Sequence, residues 1–285
     1  MTGTWGKKVH MIITFLILLM IGFLAGTLGS LLGLGGGIIV VPALLFLGGI
    51  FPFLEGVTPQ IAVGTSVLIM IFTGLSSTLA YMKQQSIDYT SGWIFFIGSG
   101  PGALFGVWLN KGIEVAPFLI FFGIFIVITS FILLFRDKVR PLPVKGKGIR
   151  RTYIAPDGTE VVYGFTPGVA IVIAFVVGML SGLFGIGGGS LMVPVMILLF
   201  GFPPHLAVAT SMFMVLLSSL VSSVSHIYLG NVEWLYALAL IPGAWFGAKT
   251  GSYINRKIKS DTLVTFLRIF LIVIGIRLIW QGFSG

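Results

Sequence analysis

The segment Gly33-Leu-Gly-Gly-Gly37-Ile-Ile-Val-Val-Pro42 returns 152 residues later as Gly185-Ile-Gly-Gly-Gly189-Ser-Leu-Met-Val-Pro194, each time within a nearly unbroken apolar stretch. Glycine carries no Cβ, so it ends helices and lets a backbone approach another backbone or a ligand. Inside a membrane, a helix break leaves amides that no water can satisfy. Two matched breaks therefore predict a duplicated membrane protein in which the break has a task, and a solute site is the first candidate.

Composition narrows the class. With 56% hydrophobic and 9% charged residues and a mean hydropathy of +1.09, the chain cannot cover a soluble surface. A polytopic helical bundle in the cell (plasma) membrane is expected, and 285 residues suffice for about eight spans at roughly 20 residues each. The net charge of +9 sits in short loops, as expected of a membrane protein, so nucleic-acid binding is not expected. No cysteine is present, which excludes disulfides and thiolate chemistry. The first apolar run follows Lys7 and Lys8 without a small-residue cleavage site, so it reads as a retained first helix.

Apolar runs lie at about 10–33, 37–48, 59–82, 91–110 and 116–135, and again at about 167–185, 189–202, 205–229, 234–253 and 262–281. The run after each triple glycine is too short to span: 12 residues rise only about 18 Å as a helix, against a core of roughly 30 Å. These runs are expected to be re-entrant half-helices. The repeat continues beyond the glycines. Ala62-Val-Gly-Thr-Ser66 matches Ala207-Val-Ala-Thr-Ser211, Ser86-Ile-Asp-Tyr89 matches Asn231-Val-Glu-Trp234, and Pro101-Gly-Ala-Leu-Phe-Gly106 matches Pro242-Gly-Ala-Trp-Phe-Gly247. Such self-similarity is how many transporters build a site at a repeat interface.

Three regions follow: a first transmembrane repeat over 1–135, a basic loop over 136–166 and a second repeat over 167–285. The loop carries seven Lys or Arg and three acids, which predicts a cytoplasmic location, and Lys7 and Lys8 place the N-terminus on the same side. Four spans per half would give the repeats one orientation, whereas five crossings would invert them. The four-span arrangement puts Arg256, Lys257 and Lys259 on the outer side, against the charge rule. Within the loop, residues 151–163 alternate strand formers around Asp157-Gly158, the signal of a small β-hairpin that needs a surface to dock on.

A helix starting near Gly37 or Gly189 leaves its first amides free and points its positive dipole end inward, which suits an anion. The competing explanation is close helix packing through small residues. Thr65, Ser66, Thr210 and Ser211 could donate hydroxyls to an anion or bond back to their own helices. Ser76, Ser77 and Thr78, with Ser218, Ser219, Ser222 and Ser223, make the same helices polar along part of their length. Among ionisable groups in the spans, Lys249 and Arg277 suit snorkelling, while His226 and Arg268 are candidates for coupling or charge compensation. No acid lies deep in a span; Glu55, Asp88, Glu114 and Glu233 read as loop or interfacial. Nucleotide, zinc-hydrolase and nucleophile-elbow motifs are missing, so no enzyme, metal or cofactor is expected.

The paired Gly-Xaa-Gly-Gly-Gly segments with their prolines, the Ala-Val-Xaa-Thr-Ser segments and the Pro-Gly-Ala-Xaa-Phe-Gly segments resemble the TauE/SafE family, the sulfite exporter or 4-toluene sulfonate uptake permeases. The resemblance covers about residues 10–282. It implies a transporter of small sulfur oxyanions such as sulfite or organosulfonates, with export the expected direction and proton coupling possible. It also implies an anion site at Gly35, Gly36, Gly37, Gly187, Gly188 and Gly189, lined by Thr65, Ser66, Thr210 and Ser211. The expected partners are a small anionic solute and the lipid bilayer. An anion channel, or a membrane scaffold or sensor whose loop binds a cytoplasmic partner, are the alternatives.

Overall fold

The computed structural model describes residues 3–48, 54, 56–134, 148–154 and 160–284. Ten helices and one hairpin are seen among them: α1 (Gly3–Leu32), α2 (Gly37–Gly48), α3 (Pro59–Lys83), α4 (Tyr89–Leu109), α5 (Val115–Leu134), β1 (Ile149–Ile154), β2 (Glu160–Phe165), α6 (Pro167–Phe184), α7 (Gly189–Leu199), α8 (Pro204–Tyr228), α9 (Trp234–Lys257) and α10 (Ser260–Ser284). Their bounds follow the apolar runs to within a few residues, except that α1 begins well before its run, at Gly3. Six segments are long and apolar enough to cross a bilayer: Met11–Leu32, Pro59–Lys83, Tyr89–Leu109, Pro167–Phe184, Pro204–Tyr228 and Asp261–Phe283. Helix starts carry the expected signals. Pro59, Pro167 and Pro204 occupy first turns, where a missing N–H does no harm, and Thr58 caps α3 by accepting from the Ile61 amide at 3.3 Å.

Glycine stripes set the packing. Along α4, a methyl on Gly98, Gly102 or Gly106 would lie 2.2, 2.1 or 1.9 Å from the carbonyl oxygens of Ile171, Phe175 and Met179 on α6. Gly243, Gly247 and Gly251 of α9 meet Leu19, Phe23 and Thr27 of α1 in the same way, each at 2.1 Å. Lipid supplies no hydrophobic drive between helices, so this backbone approach is what joins them. Numbers rise together in both pairs, so α4 runs parallel to α6 and α9 parallel to α1. The Pro-Gly-Ala-Xaa-Phe-Gly match is thus one helical turn out of spatial register: Gly102 plays the part of Gly247, not of Gly243.

The helices with the Thr-Ser motifs run antiparallel. Near the start of α3, Thr65 Oγ1 accepts from the amide of Glu233, beyond the end of α8, while near the start of α8, Thr210 Oγ1 accepts from the amide of Asp88, beyond the end of α3; both bonds are 3.0 Å. Helix α10 is antiparallel to α5, as Gly282 meets Ala116 and Ile120 while Gly275 meets Gly123 and Val127.

These directions bear on the expectation that the N-terminus and the basic loop share one side. Helix α9 ends where Asn255 meets His205 and Ser252 meets Gln84, the end of the bundle that holds the hairpin. Parallel α1 therefore begins at the opposite end. The start of α1 and the hairpin thus lie at opposite ends of the bundle, and α1 turns back at the glycine break: a methyl on Gly29 would lie 2.4 Å from the Gly36 nitrogen, and one on Gly36 2.9 Å from the Ala25 oxygen. Arg256, Lys257 and Lys259 then share the hairpin's end with Lys83, Arg150 and Arg151, which removes their conflict with the charge rule.

The hairpin forms as expected, with Arg151 paired to Tyr163 across it; Asp157-Gly158 lies outside the described residues. Its dock is Asp88, which the sequence placed at an interface but which is 5% exposed. Asp88 Oδ1 accepts from the Ser91 amide (3.1 Å) and from Arg151 Nη1 (2.9 Å), and Oδ2 from Tyr163 Oη (3.0 Å) and the Ser91 hydroxyl. Phe165, Phe95, Phe200 and Phe202 pack beneath, with Gly164 donating to the Phe200 carbonyl at 3.0 Å. Burial first, and then the Asp88 charge, push the Tyr163 phenol above its ordinary value and keep it a donor.

Arg151 is 39% exposed, so its ion pair by itself contributes little; the buried acceptor matters more. Asp88→Ala should lower unfolding stability in detergent by about 2–4 kcal/mol and Tyr163→Phe by about 1 kcal/mol. The raised phenol pKa means its contribution is present below about pH 10 and declines above it, so the Tyr163→Phe difference in thermal unfolding should shrink as pH rises past that point.

Candidate functional site

The two glycine breaks lie against each other at the centre of the α3/α8 pair. Six of their glycines have left-handed backbone: Gly33, Gly35 and Gly36 at φ +76°, +81° and +96°, and Gly185, Gly187 and Gly188 at +70°, +74° and +69°. The remaining two are needed for contact. A methyl on Gly37 would lie 1.9 Å from the Gly185 oxygen, and one on Gly189 1.8 Å from the Gly33 oxygen. The segments therefore pass each other at backbone distance, one descending from α1 into α2 and the other ascending from α6 into α7. At the midpoint, Met70 Sδ and Val215 Cγ1 face both Gly35 and Gly187.

Breaking a helix frees carbonyls at its end and amides at the next start. The carbonyls are met from other elements. Leu31 O accepts from Asn255 Nδ2 and Leu183 O from Asn110 Nδ2, both at 2.7 Å; Ser30 O accepts from Tyr81 Oη at 2.8 Å. Gly33 O accepts from Ser211 Oγ at 2.8 Å and Gly185 O from Ser66 Oγ at 3.0 Å. Each half thus caps the other. The amides of Gly36, Gly37, Gly188 and Gly189 find no acceptor among the described residues.

This sorts the candidate hydroxyls. A carbonyl can only accept, so Ser66 and Ser211 have committed their protons to Gly185 and Gly33 and serve as braces. Thr65 and Thr210 accept from the Glu233 and Asp88 amides and keep their own protons for another acceptor. His226 is fully buried near the end of α8, with Nδ1 3.4 Å from Asn231 Nδ2 and no partner at Nε2. Arg268 lies on α10, its carbonyl accepting from Ser130 of α5 at 2.9 Å, and no described contact brings it to the breaks. Asn110, Asn255, Met70 and Val215 escaped sequence reasoning. The equal spacing of 145 between the Asn positions and between the Thr-Ser pairs was the available signal.

Crossed, capped breaks lie within a bundle in which six segments are long and apolar enough to cross a membrane. The family model described as "Sulfite exporter TauE/SafE" matches residues 18–278, and the chain belongs to that family. A probable membrane transporter protein of Bacillus subtilis, YunE, is 55% identical over 269 residues, 94% of this chain and 98% of its own length. A probable membrane transporter protein of Methanocaldococcus jannaschii is 28% identical, covering 91% of this chain and 93% of its own. An Arabidopsis thaliana protein named sulfite exporter TauE/SafE family protein 6 is 32% identical over 117 residues, 39% of this chain and 27% of its own. No solved structure matches.

Gly37→Ala and Gly189→Ala should each destabilise the protein by more than about 3 kcal/mol, because the methyl meets a carbonyl that two braced segments hold in place. Gly168→Ala, where a methyl has nothing within 4 Å, is the matched control and should leave thermal stability unchanged. Detergent-solubilised melting curves check both.

Proposed function

We propose that the protein is a secondary transporter that exports a small sulfur-containing oxyanion, such as sulfite or an organosulfonate, with the anion held where the breaks cross. The observation that carries this is the imbalance of hydrogen-bonding groups: most carbonyls at the broken ends are capped, while the starts of α2 and α7 keep unpaired donors. An acceptor is what such a place lacks, and the positive ends of two helices favour one with negative charge. Thr65 and Thr210 supply further donors without a buried cation, whose desolvation would cost several kcal/mol. The family's description and the name of the Arabidopsis thaliana relative support sulfite as the first anion to test.

On this reading the halves are inverted copies. Helices α1 and α6, which are among the six segments long and apolar enough to cross, enter from opposite faces, and the short α2 and α7 turn back from their ends at the breaks. The basic hairpin end is cytoplasmic. Inverted halves whose breaks share one centre suit exposure of a single site to each face in turn. The docking of the hairpin through Asp88 favours a transporter over a scaffold that offers its loop to a partner.

Purified protein in proteoliposomes should move sulfite or sulfoacetate, and the double variant Gly36→Val/Gly188→Val should reduce flux to the empty-liposome level. Unchanged flux in that variant would refute the site. Unitary currents in planar bilayers would indicate a channel instead, and loss of a bound partner with intact flux on deletion of 145–163 would indicate a scaffold role.

A further inference from the structure

The crossing is symmetric in its braces and asymmetric in its openings. In the first half, Gly29 lets α1 press on the break, so that the Gly36 nitrogen lies within 2.4 Å of where a methyl on Gly29 would stand. The matching position in the second half, 152 residues on, is Ser181. There α6 stands further from the break: the nearest atoms to a methyl on Gly188 would be Met214 Cε at 3.3 Å, Val177 Cγ1 at 3.5 Å and Ser181 Cβ at 3.6 Å. One break is sealed by backbone and the other is bordered by side chains. A second difference is independent of this packing. The first turn of α7 carries Ser190, 1% exposed with no partner for its Oγ, where α2 has Ile38.

An unpaired buried hydroxyl destabilises a fold, so its presence beside unpaired amides calls for a ligand. Side chains in a helix lean toward its N-terminus, which aims the Ser190 hydroxyl at the mouth formed by Gly188 and Gly189. Ile38 cannot donate at all. From Met214, positions 218, 222 and 226 follow at intervals of four along α8 and lie on the same face, and Ser222 Oγ and His226 Nε2 on it are also buried without partners. The corresponding face of α3 carries Ser77, whose Oγ is likewise buried without a partner, but it ends in Tyr81, whose hydroxyl is already taken by Ser30 O.

We propose that the anion is bound by one half only: it sits at the N-terminus of α7, on the amides of Gly188 and Gly189 and the hydroxyl of Ser190, while the N-terminus of α2 is a structural counterpart. This rests on the anion-transport reading above and narrows it. Ser190 is then a binding residue that pattern matching of the repeats cannot find, because it lies where the repeat fails.

The test is titration of purified protein with sulfite and with sulfoacetate by calorimetry, alongside thermal melting without ligand. Ser190→Ala should weaken binding about ten-fold or more, the value of a hydrogen bond to a charged ligand, whereas Ile38→Ala should change it less than about two-fold. Removing an unpaired hydroxyl should leave the ligand-free melting temperature unchanged or raised; a merely structural serine would lower it. Ser190→Thr, which keeps the hydroxyl, should retain most of the affinity. Unaltered binding in Ser190→Ala, or equal losses at positions 38 and 190, overturns the one-sided site and leaves the transport reading standing. Wild-type protein that binds neither anion and moves neither in proteoliposomes overturns both.

Discussion

Two peptide segments crossing at backbone distance are the constraint on which the rest of this structure depends. A single methyl on Gly37 or Gly189 would stand far inside the van der Waals contact distance of a carbonyl oxygen on the other segment. The crossing fixes where α1 and α6 stop and where α2 and α7 begin. It also fixes the depth of Ser66 and Ser211, whose hydroxyls must reach the Gly185 and Gly33 carbonyls. Helices α3 and α8 are thereby held antiparallel around Met70 and Val215.

Breaking a helix within an apolar bundle exposes polar groups, each of which costs a few kcal/mol if left unmet. The protein meets the acceptor half of that demand by exchange. Asn110 of the first half serves Leu183 in the second, and Asn255 of the second serves Leu31 in the first. Thr65 and Thr210 likewise hold the starts of α9 and α4 in the opposite half. Tyr81 serves Ser30 within its own half, but most side-chain caps come from the opposite half, so each break depends on the other for satisfaction. Glycine stripes between α1 and α9 and between α4 and α6 then bring the outer helices in at carbonyl distance, where lipid gives no hydrophobic drive. The donor half of the demand is the part left open, and function is assigned to it.

Much of this was legible in the chain. The apolar runs gave helix bounds, because in lipid only continuous apolar helices keep their backbone satisfied. The offset of 145 between Thr65-Ser66 and Thr210-Ser211 marked the positions that face the crossing, and the alternation around 151–163 gave the hairpin. Other features were hidden for physical reasons. Ser66 and Ser211 looked like ligand donors until their carbonyl acceptors, 119 and 178 residues away, were in place. Asp88 looked interfacial because the hairpin that buries it is far along the chain. The Pro-Gly-Ala-Xaa-Phe-Gly match misled by one turn, since a four-residue shift keeps glycines on the same helix face and sequence identity cannot tell the two registers apart.

By itself the sequence determined that this chain is a helical membrane protein, that it carries two glycine breaks, and which family it resembles. Those follow from composition and local spacing, which are properties of short stretches. Only the tertiary structure decided that the breaks touch, that the start of α1 and the hairpin lie at opposite ends, and that most carbonyls at the breaks are capped while the amides of Gly36, Gly37, Gly188 and Gly189 are not. Each of these depends on which distant groups meet, and a repeated motif states that two segments are alike without stating how they face each other.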